Sequence, residues 1–285
     1  MLNKLKKFLS KYTSEGIALA YSGGVDSSFL LTVLQILQKE HSFPLIAVHM
    51  HSVFQHPDEF RRIRQPTKDC NIEVKIIHYD PLAIPELKQN PPDRCYWCKH
   101  HIFARIRTFA DYKGIKTVMD GTNFDDKNNY RPGLRALDEW QVISPLAEIG
   151  FTKNDIRLLA KNLNLEYADK PSSSCMATRF EYGSTLTEEL IRRVIKGEKQ
   201  IRKVLPDLTD VRLRVHGGIA RIEVSAQAIP MFVQQHLEIA SHLKLLGFNF
   251  VTLDLEGFRS GSMDHIIKNK ETGGATCRSD SRKSF

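Results

Sequence analysis

Tyr21-Ser22-Gly23-Gly24-Val25-Asp26-Ser27-Ser28 joins an apolar run, Ile17 to Ala20, to an apolar-periodic segment beginning near Ser28. That order predicts a strand, a tight glycine turn and a helix. Gly23 and Gly24 let the backbone turn sharply and approach a ligand, while Ser22, Ser27, Ser28 and the free amides at the helix start supply donors. Such a cradle suits pyrophosphate. Asp26 is favoured there by the helix dipole and could hold Mg2+ against a departing pyrophosphate. The G-x-x-x-x-G-K-[ST] spacing of the Walker loop is absent. An ordinary glycine turn, common in doubly wound proteins, is the alternative, and Asp26 and Ser27 argue against it.

Outward from this loop, apolar runs at Leu45 to Met50, Val74 to His78 and Thr117 to Met119 alternate with helical patterns from Ser28 to Lys39, Phe60 to Asp69 and Lys99 to Asp111. Near-continuous apolar strands between helices predict an α/β domain, its parallel sheet covered on both faces and its ligand at the carboxyl ends of the strands. Asp120-Gly121-Thr122-Asn123-Phe124-Asp125-Asp126 leaves the fourth run, so Gly121, Thr122 and Asn123 should face the same nucleotide as the glycine loop. A fifth strand is expected near Gln141 to Ser144, then Pro145-Leu146, then a helix capped by Thr152 with Asp155 in support and ending near Leu163.

Beyond Lys170-Pro171 the rhythm changes. A long helix from Thr187 to Lys203 precedes alternating strands, Val211 to Val215 and Ala220 to Val224, around a His216-Gly217-Gly218-Ile219 turn. A helix near Pro230 to Leu245 and a strand from Phe248 to Leu253 complete a smaller C-terminal α+β domain. The expected boundaries are 1–168 for the parallel domain and 169–267 for the second, with a polar tail, 268–285, expected to be disordered.

A chain of 285 residues has room for two such domains, and 41% hydrophobic with 26% charged residues is ordinary globular composition. No run of eighteen apolar residues occurs, and the start, Met1 to Leu9, is a short basic amphipathic helix without a signal-type core, so a cytoplasmic protein with no membrane partner is expected. The net charge of +8 suits nucleotides, phosphorylated metabolites and RNA alike. The five cysteines, Cys70, Cys95, Cys98, Cys175 and Cys277, are an odd number, which argues against a disulfide framework and for metal, cluster or sulfur chemistry.

Asn90-Pro91-Pro92-Asp93-Arg94-Cys95-Tyr96-Trp97-Cys98-Lys99 puts a C-x-x-C pair at an expected helix start, where the dipole, Arg94 and Lys99 favour thiolates. A structural zinc normally takes four ligands, and neither a second C-x-x-C nor a suitable histidine pair is present. A redox pair and a cluster both remain. Cys175, in a polar loop between Lys170 and Arg179, is the third candidate, since three cysteines can ligate a [4Fe-4S] cluster and leave one iron open. Cys70 reads as a core residue and Cys277 as lying outside the chemistry. His49, His51 and His56, around the end of the second strand, read as capping or solvated rather than as a metal set.

Taken together, these motifs closely resemble the LarE-type sulfur transferases of the PP-loop superfamily. The resemblance runs from about Phe8 to Asp264 and rests on Ser22 to Ser27, Asn90 to Cys95, Asp120 to Asp126, Arg131-Pro132-Gly133, Ser144-Pro145-Leu146, Lys170-Pro171 with Cys175, and Arg212 with Arg214. It implies a PP-loop ATP pyrophosphatase fold, of the adenine nucleotide alpha hydrolase kind, with ATP and Mg2+ at the loop. It implies an acceptor too, a pyridinium dicarboxylate mononucleotide, whose carboxylate is adenylylated and then sulfurated toward a nickel-pincer cofactor. Carrying all three cysteines, the chain is similar to cluster-bearing members, with Cys95, Cys98 and Cys175 as ligands of a [4Fe-4S] cluster. Sacrifice of Cys175 itself is the second mechanism. Trp97 is placed to stack on the pyridinium ring, Arg212 and Arg214 share one strand face toward phosphate or carboxylate, and Glu198 joins the same pocket by resemblance. Assembly into a homo-oligomer is implied as well, while the sulfide donor is unspecified.

The rival readings are a tRNA thiolation enzyme, an amide-forming synthetase and a non-enzymatic nucleotide-binding regulator. No RRM or KH signature supports the first, so a nucleic acid is not the expected partner. No glutaminase segment supports the second, and intact ATP binding without cleavage would mark the third.

Overall fold

The computed structural model describes residues 1–63, 72–127, 132–168, 174–208 and 210–259. They form two compact units, Met1–Ala177 with Tyr182–Ile191, and Thr178–Glu181 with the chain from Arg192 onward.

The first unit is built on four parallel strands, β1 (Ile17–Ala20), β2 (Leu45–His51), β3 (Glu73–His78) and β4 (Thr117–Met119), in the order β3-β2-β1-β4. The apolar residues of β1, Ile17, Ala18 and Leu19, are fully buried because both faces of this strand are covered. The core around them takes Phe29, Leu30 and Leu34 from the helix Val25–Glu40 and Phe151, Ile156 and Ala160 from the segment around the helix Lys153–Asn162. Strand order reverses at β1, since β2 and β3 lie on one side of it and β4 on the other. In an open α/β sheet that reversal opens a crevice at the carboxyl ends of the two strands. The loops leaving β1 and β4 are the two the sequence marked.

The expected fifth strand shrinks to one bridge, Met119 to Ile143. Its neighbours limit it: Gln141 sits at φ 50°, and Pro145 opens the short helix Pro145–Glu148. Thr152 caps its helix as predicted, accepting from the Asp155 amide while Asp155 bonds back to the Thr152 amide, a complete capping box.

The second unit holds the mixed sheet β5 (Val211–His216), β6 (Ile219–Val224) and β7 (Phe250–Leu253), with β5 antiparallel and β7 parallel to β6. Gly217 and Gly218 make the turn between β5 and β6. Gly197, in the helix Glu188–Val204, is where that helix meets the sheet, because a Cβ there would fall 2.6 Å from Leu213 Cδ1. The single helix expected over Pro230 to Leu245 is instead two, Ile229–Gln234 and His236–Leu245, parted at Gln235 with φ −103° and ψ 15°. No glycine or proline marks that break. Among the described residues, no helix is long and apolar enough to cross a membrane. Cys70, Lys170, Pro171, Arg131, Cys277 and the tail from 268 lie outside the described residues.

Candidate functional site

The helix after β1 starts at Val25, three residues earlier than its periodicity indicated, with Gly24 as an extended N-cap and Gly23 at φ 76°. That conformation costs glycine little and any other residue more. No side chain caps this helix, so its first amides are open to an anion. Ser22 and Ser27 join the turn through their hydroxyls, 3.0 Å apart, and Ser22 Oγ accepts from the Gly24 amide at 3.3 Å. Ser28 faces inward instead, fully buried with its Oγ 3.5 Å from the Tyr21 hydroxyl. His49 belongs to β2 rather than to a loop, and its buried ring holds the start of the turn through Nδ1 and Tyr21 O at 2.9 Å.

The β4 loop closes on this turn. Asn123 Nδ2 donates to Asp26 Oδ2 at 2.9 Å, and a Cβ on Gly121 would fall 2.8 Å from the Ser27 amide nitrogen and 2.9 Å from its Cα. Asp120 fixes the loop by accepting from the Thr122 amide, the Thr122 hydroxyl and the Ser144 hydroxyl. Burial raises the Asp26 pKa, and nearby Asp126 adds to that, against the Asn123 hydrogen bond and the charges of Lys153 and Arg157. A partly buried carboxylate with a second carboxylate nearby, next to a phosphate-type turn, is suited to a divalent cation.

The same unit carries the three cysteines. Cys95 and Cys98 lie in the first turn and a half of the helix Arg94–Tyr112, the first exposed and the second half-buried, and Cys175 is exposed on the loop before Met176. Met176 is tied to the first unit by donating its amide to Phe54 O at 2.8 Å. Burial, Cys175 and Cys95 push the Cys98 thiol up to about 12, against the Tyr79 hydrogen bond and Lys99. The helix start therefore does not make Cys98 a thiolate on its own, because desolvation outweighs the dipole. Tyr79 Oη lies 3.0 Å from Cys98 Sγ. Among the described residues, no group of three or more His, Cys, Asp or Glu side chains is spaced to hold a metal ion. Trp97 is half-buried, bonded to Asp93 through Nε1 at 3.0 Å and set edge-on to Tyr96.

The second unit contains Arg212, Arg214 and Glu198, together with partners the sequence did not reveal. Glu198 is fully buried and accepts from Arg179 Nε at 2.8 Å and from the Leu213 amide at 3.1 Å. Arg214 donates Nε and Nη2 to the buried Glu223, at 3.1 and 2.9 Å, and Nη1 to Thr178 O at 2.6 Å. Arg212 is less engaged: Asp210 is 3.9 Å away, the Phe258 ring 5.0 Å, and its buried Nε has no hydrogen-bond partner. Burial lowers the pKa of both arginines.

Residues 1–82 match the PP-loop domain family. Over 252 residues the chain is 36% identical to the pyridinium-3,5-bisthiocarboxylic acid mononucleotide synthase of Lactiplantibacillus plantarum, covering 88% of this chain and 90% of that protein. The chain belongs to the LarE-type PP-loop family. An uncharacterized protein of Synechocystis is 32% identical over 93% of this chain and 97% of its own length. An NH(3)-dependent NAD(+) synthetase of Campylobacter jejuni is 26% identical over 58% of this chain and 66% of its own length.

In this LarE-type chain the first unit thus gathers the glycine turn, Asp26, the Gly121-Thr122-Asn123 loop and three thiols. Glu223 went unread, and Arg179, expected beside Cys175 as a flanking cation, is bound instead to Glu198; each acquires its meaning only from a partner brought by the fold. Glu198 is the clearest case. Burial would raise its pKa, yet Arg179, the Leu213 amide and Arg202 outweigh burial and hold it below the usual carboxylate value. A depressed folded pKa contributes stability above the unfolded value, lost as pH falls through the folded one. Stability measured by unfolding from pH 7 downward is therefore expected to fall below about pH 4.5. Glu198→Gln, which strips the charge facing buried Arg179, should cost about 3–5 kcal/mol at neutral pH and flatten that acid limb. An unchanged limb would sink the assignment.

Proposed function

We propose that this protein uses ATP to adenylylate a carboxylate of a pyridinium dicarboxylate mononucleotide and then replaces the carboxylate oxygen with sulfur, a step of nickel-pincer cofactor biosynthesis. The observation that carries this reading is that an ATP-type anion cradle and three cysteines belong to the same compact unit. A carboxylate is a poor sulfur acceptor until its oxygen is made a leaving group. Its attack on the α-phosphorus forms the acyl-adenylate and releases pyrophosphate. Addition of sulfide to the acyl carbon then expels AMP and leaves the thiocarboxylate.

The roles follow from position. The Val25 helix amides, Ser22, Gly23, Gly24 and Ser27 hold the β- and γ-phosphates, Asp26 bears on Mg2+, and Gly121, Thr122 and Asn123 complete the nucleotide side. In the first unit Trp97 offers a ring face to the pyridinium; in the second, Arg212, the less engaged of the two strand arginines, is suited to an anionic group. Arg214 and Glu198, both tied into buried ion pairs, act as supports. Cys95, Cys98 and Cys175 would hold a [4Fe-4S] cluster, to which three thiolates and one exchangeable sulfide are suited. The donor set fits that group by residue type, whereas among the described residues the three sulfurs are not spaced as a metal site, and Tyr79 is bonded to one of them. Loss of Cys175 sulfur itself is the competing source.

Iron and acid-labile sulfide analysis of protein reconstituted without oxygen, beside the Cys95→Ser variant, separates the two. About four irons per chain, lost in the variant, is the expected result. No iron after reconstitution, with one thiocarboxylate formed per chain, would transfer the role to Cys175 as a single-use donor. Failure to release pyrophosphate from ATP and the dicarboxylate would overturn the enzyme reading.

A further inference from the structure

The Asn90-Pro91-Pro92-Asp93-Arg94-Cys95 stretch does more in the fold than deliver Cys95. Arg94 is only 6% exposed, its guanidinium stacked 4.6 Å from the Tyr182 ring. Its Nε and Nη1 are buried and have no hydrogen-bond partner. The Tyr182 phenol hydrogen-bonds to it, and the sulfurs of Cys95 and Cys175 and that phenol, none of them a permanent anion, are the groups whose charge would favour its own. A buried cation without a carboxylate partner is costly, and folds retain one where an anion completes it.

The surroundings are held in place. Asn90 is fully buried in the left-handed region at φ 46°, and its side-chain Nδ2 donates to Ala177 O at 3.4 Å while its main-chain carbonyl accepts from the Gly183 amide at 3.1 Å. These bonds anchor the chain just after Cys175 and around Tyr182 to the turn that carries Arg94. Both accessible thiols, Cys95 and Cys175, therefore stand in the field of one fixed positive charge.

We propose that Arg94 is the receptor for a small singly charged anion that must meet the cysteine centre, its two unpartnered N–H groups binding that anion beside Cys95 and Cys175. The sulfur-transfer reading, on which this rests for the anion's role, offers two sources, hydrosulfide arriving as the sulfur donor and a carboxylate of the substrate. The shared chemistry is a monoanion accepting hydrogen bonds from a guanidinium.

The test needs neither ATP nor turnover, so it stands or falls apart from the enzymatic reading. Cys95 and Cys175 in the reduced full-length protein are alkylated with anionic iodoacetate and with neutral iodoacetamide, and each rate is read by peptide mapping. Both reagents require the thiolate, so their rate ratio reports the local field and cancels changes in thiol ionisation. Arg94→Gln is expected to lower the iodoacetate-to-iodoacetamide ratio at both thiols by roughly tenfold, whereas Arg94→Lys, which keeps the charge, should retain most of it. In the native protein, sodium hydrosulfide or pyridine-3-carboxylate should slow iodoacetate selectively, and that protection should vanish in Arg94→Gln. The anion that protects identifies the source. A ratio unchanged in Arg94→Gln, or protection by neither anion, overturns the proposal; loss of the ratio in Arg94→Lys as well as in Arg94→Gln would reassign Arg94 to folding alone.

Discussion

Cys175→Ala is expected to abolish thiocarboxylate formation while pyrophosphate release from ATP and the dicarboxylate continues at close to the native rate. The two half-reactions draw on different parts of the first unit. On the proposed function, activation draws on the Val25 helix amides, Asp26 and the Asn123 bond that fixes it, all of which are contributed by the ends of β1 and β4. Sulfur delivery needs the thiols, and Cys175 is on a separate loop, tied down through Met176 and Phe54 rather than through the nucleotide turn. Because Cys175 is exposed, removal of its sulfur leaves no cavity, and stability should change little. An interaction used only in the second step lowers that step alone. Pyrophosphate release followed by a coupled assay, with the product read by mass spectrometry, measures both. Equal loss of the two activities would sink the division into activation and sulfuration. The Cys175 variant is expected to stop sulfur transfer under either sulfur source, so the source itself is decided by Cys95→Ser, which removes a ligand of the proposed cluster and leaves a sacrificial Cys175 intact.

The first unit was largely legible because its signals are local. A strand buried on both faces writes itself as a short apolar run, a glycine pair announces the turn, and Thr152 with Asp155 announces a helix start. β1 and β4 came out with the bounds the sequence indicated, and the convergence of their loops followed from parallel topology alone. What escaped depends on distant partners. Tyr79 meets Cys98 across a turn and two short helices, so nothing in the C-x-x-C motif discloses that one thiol is hydrogen-bonded and pushed up to about 12 while its neighbour is exposed. In β5, the alternation of arginine and apolar residues reads as one face turned toward phosphate or carboxylate. The antiparallel register instead puts Glu223 opposite Arg212 and beside Arg214, turning that face into a buried ion-pair network. The same pairing divides the labour of the two arginines: Arg214 is neutralised by Glu223, and Arg212 retains an unpartnered Nε. Charge count could not distinguish them.

The nucleotide side is expected to fail most sharply at a residue with no functional group. Gly121→Ala should reduce ATP-dependent pyrophosphate release by at least about a hundredfold, the scale on which a displacement of about 1 Å acts on a positioned reaction. The cause is close approach. A methyl group on Gly121 would fall 2.8 Å from the Ser27 nitrogen and 2.9 Å from its Cα, distances that real Cβ atoms do not adopt, and the obstacle is helix backbone rather than a side chain that can swing away. Either the β4 loop or the first turn of the Val25 helix must therefore withdraw. Withdrawal of the loop carries Asn123 from Asp26, which would lose the hydrogen bond that opposes the burial-driven rise of its pKa. Withdrawal of the helix misdirects the amides that face the phosphates. Asn123→Ala removes the same hydrogen bond without displacing backbone, so it should fall between native and Gly121→Ala in both ATP affinity and pyrophosphate release. Calorimetric ATP binding, with circular dichroism to establish that the sheet is retained, distinguishes loss of the cradle from loss of the fold. Native ATP affinity and native pyrophosphate release in folded Gly121→Ala protein would mean that the loops leaving β1 and β4 do not share one nucleotide.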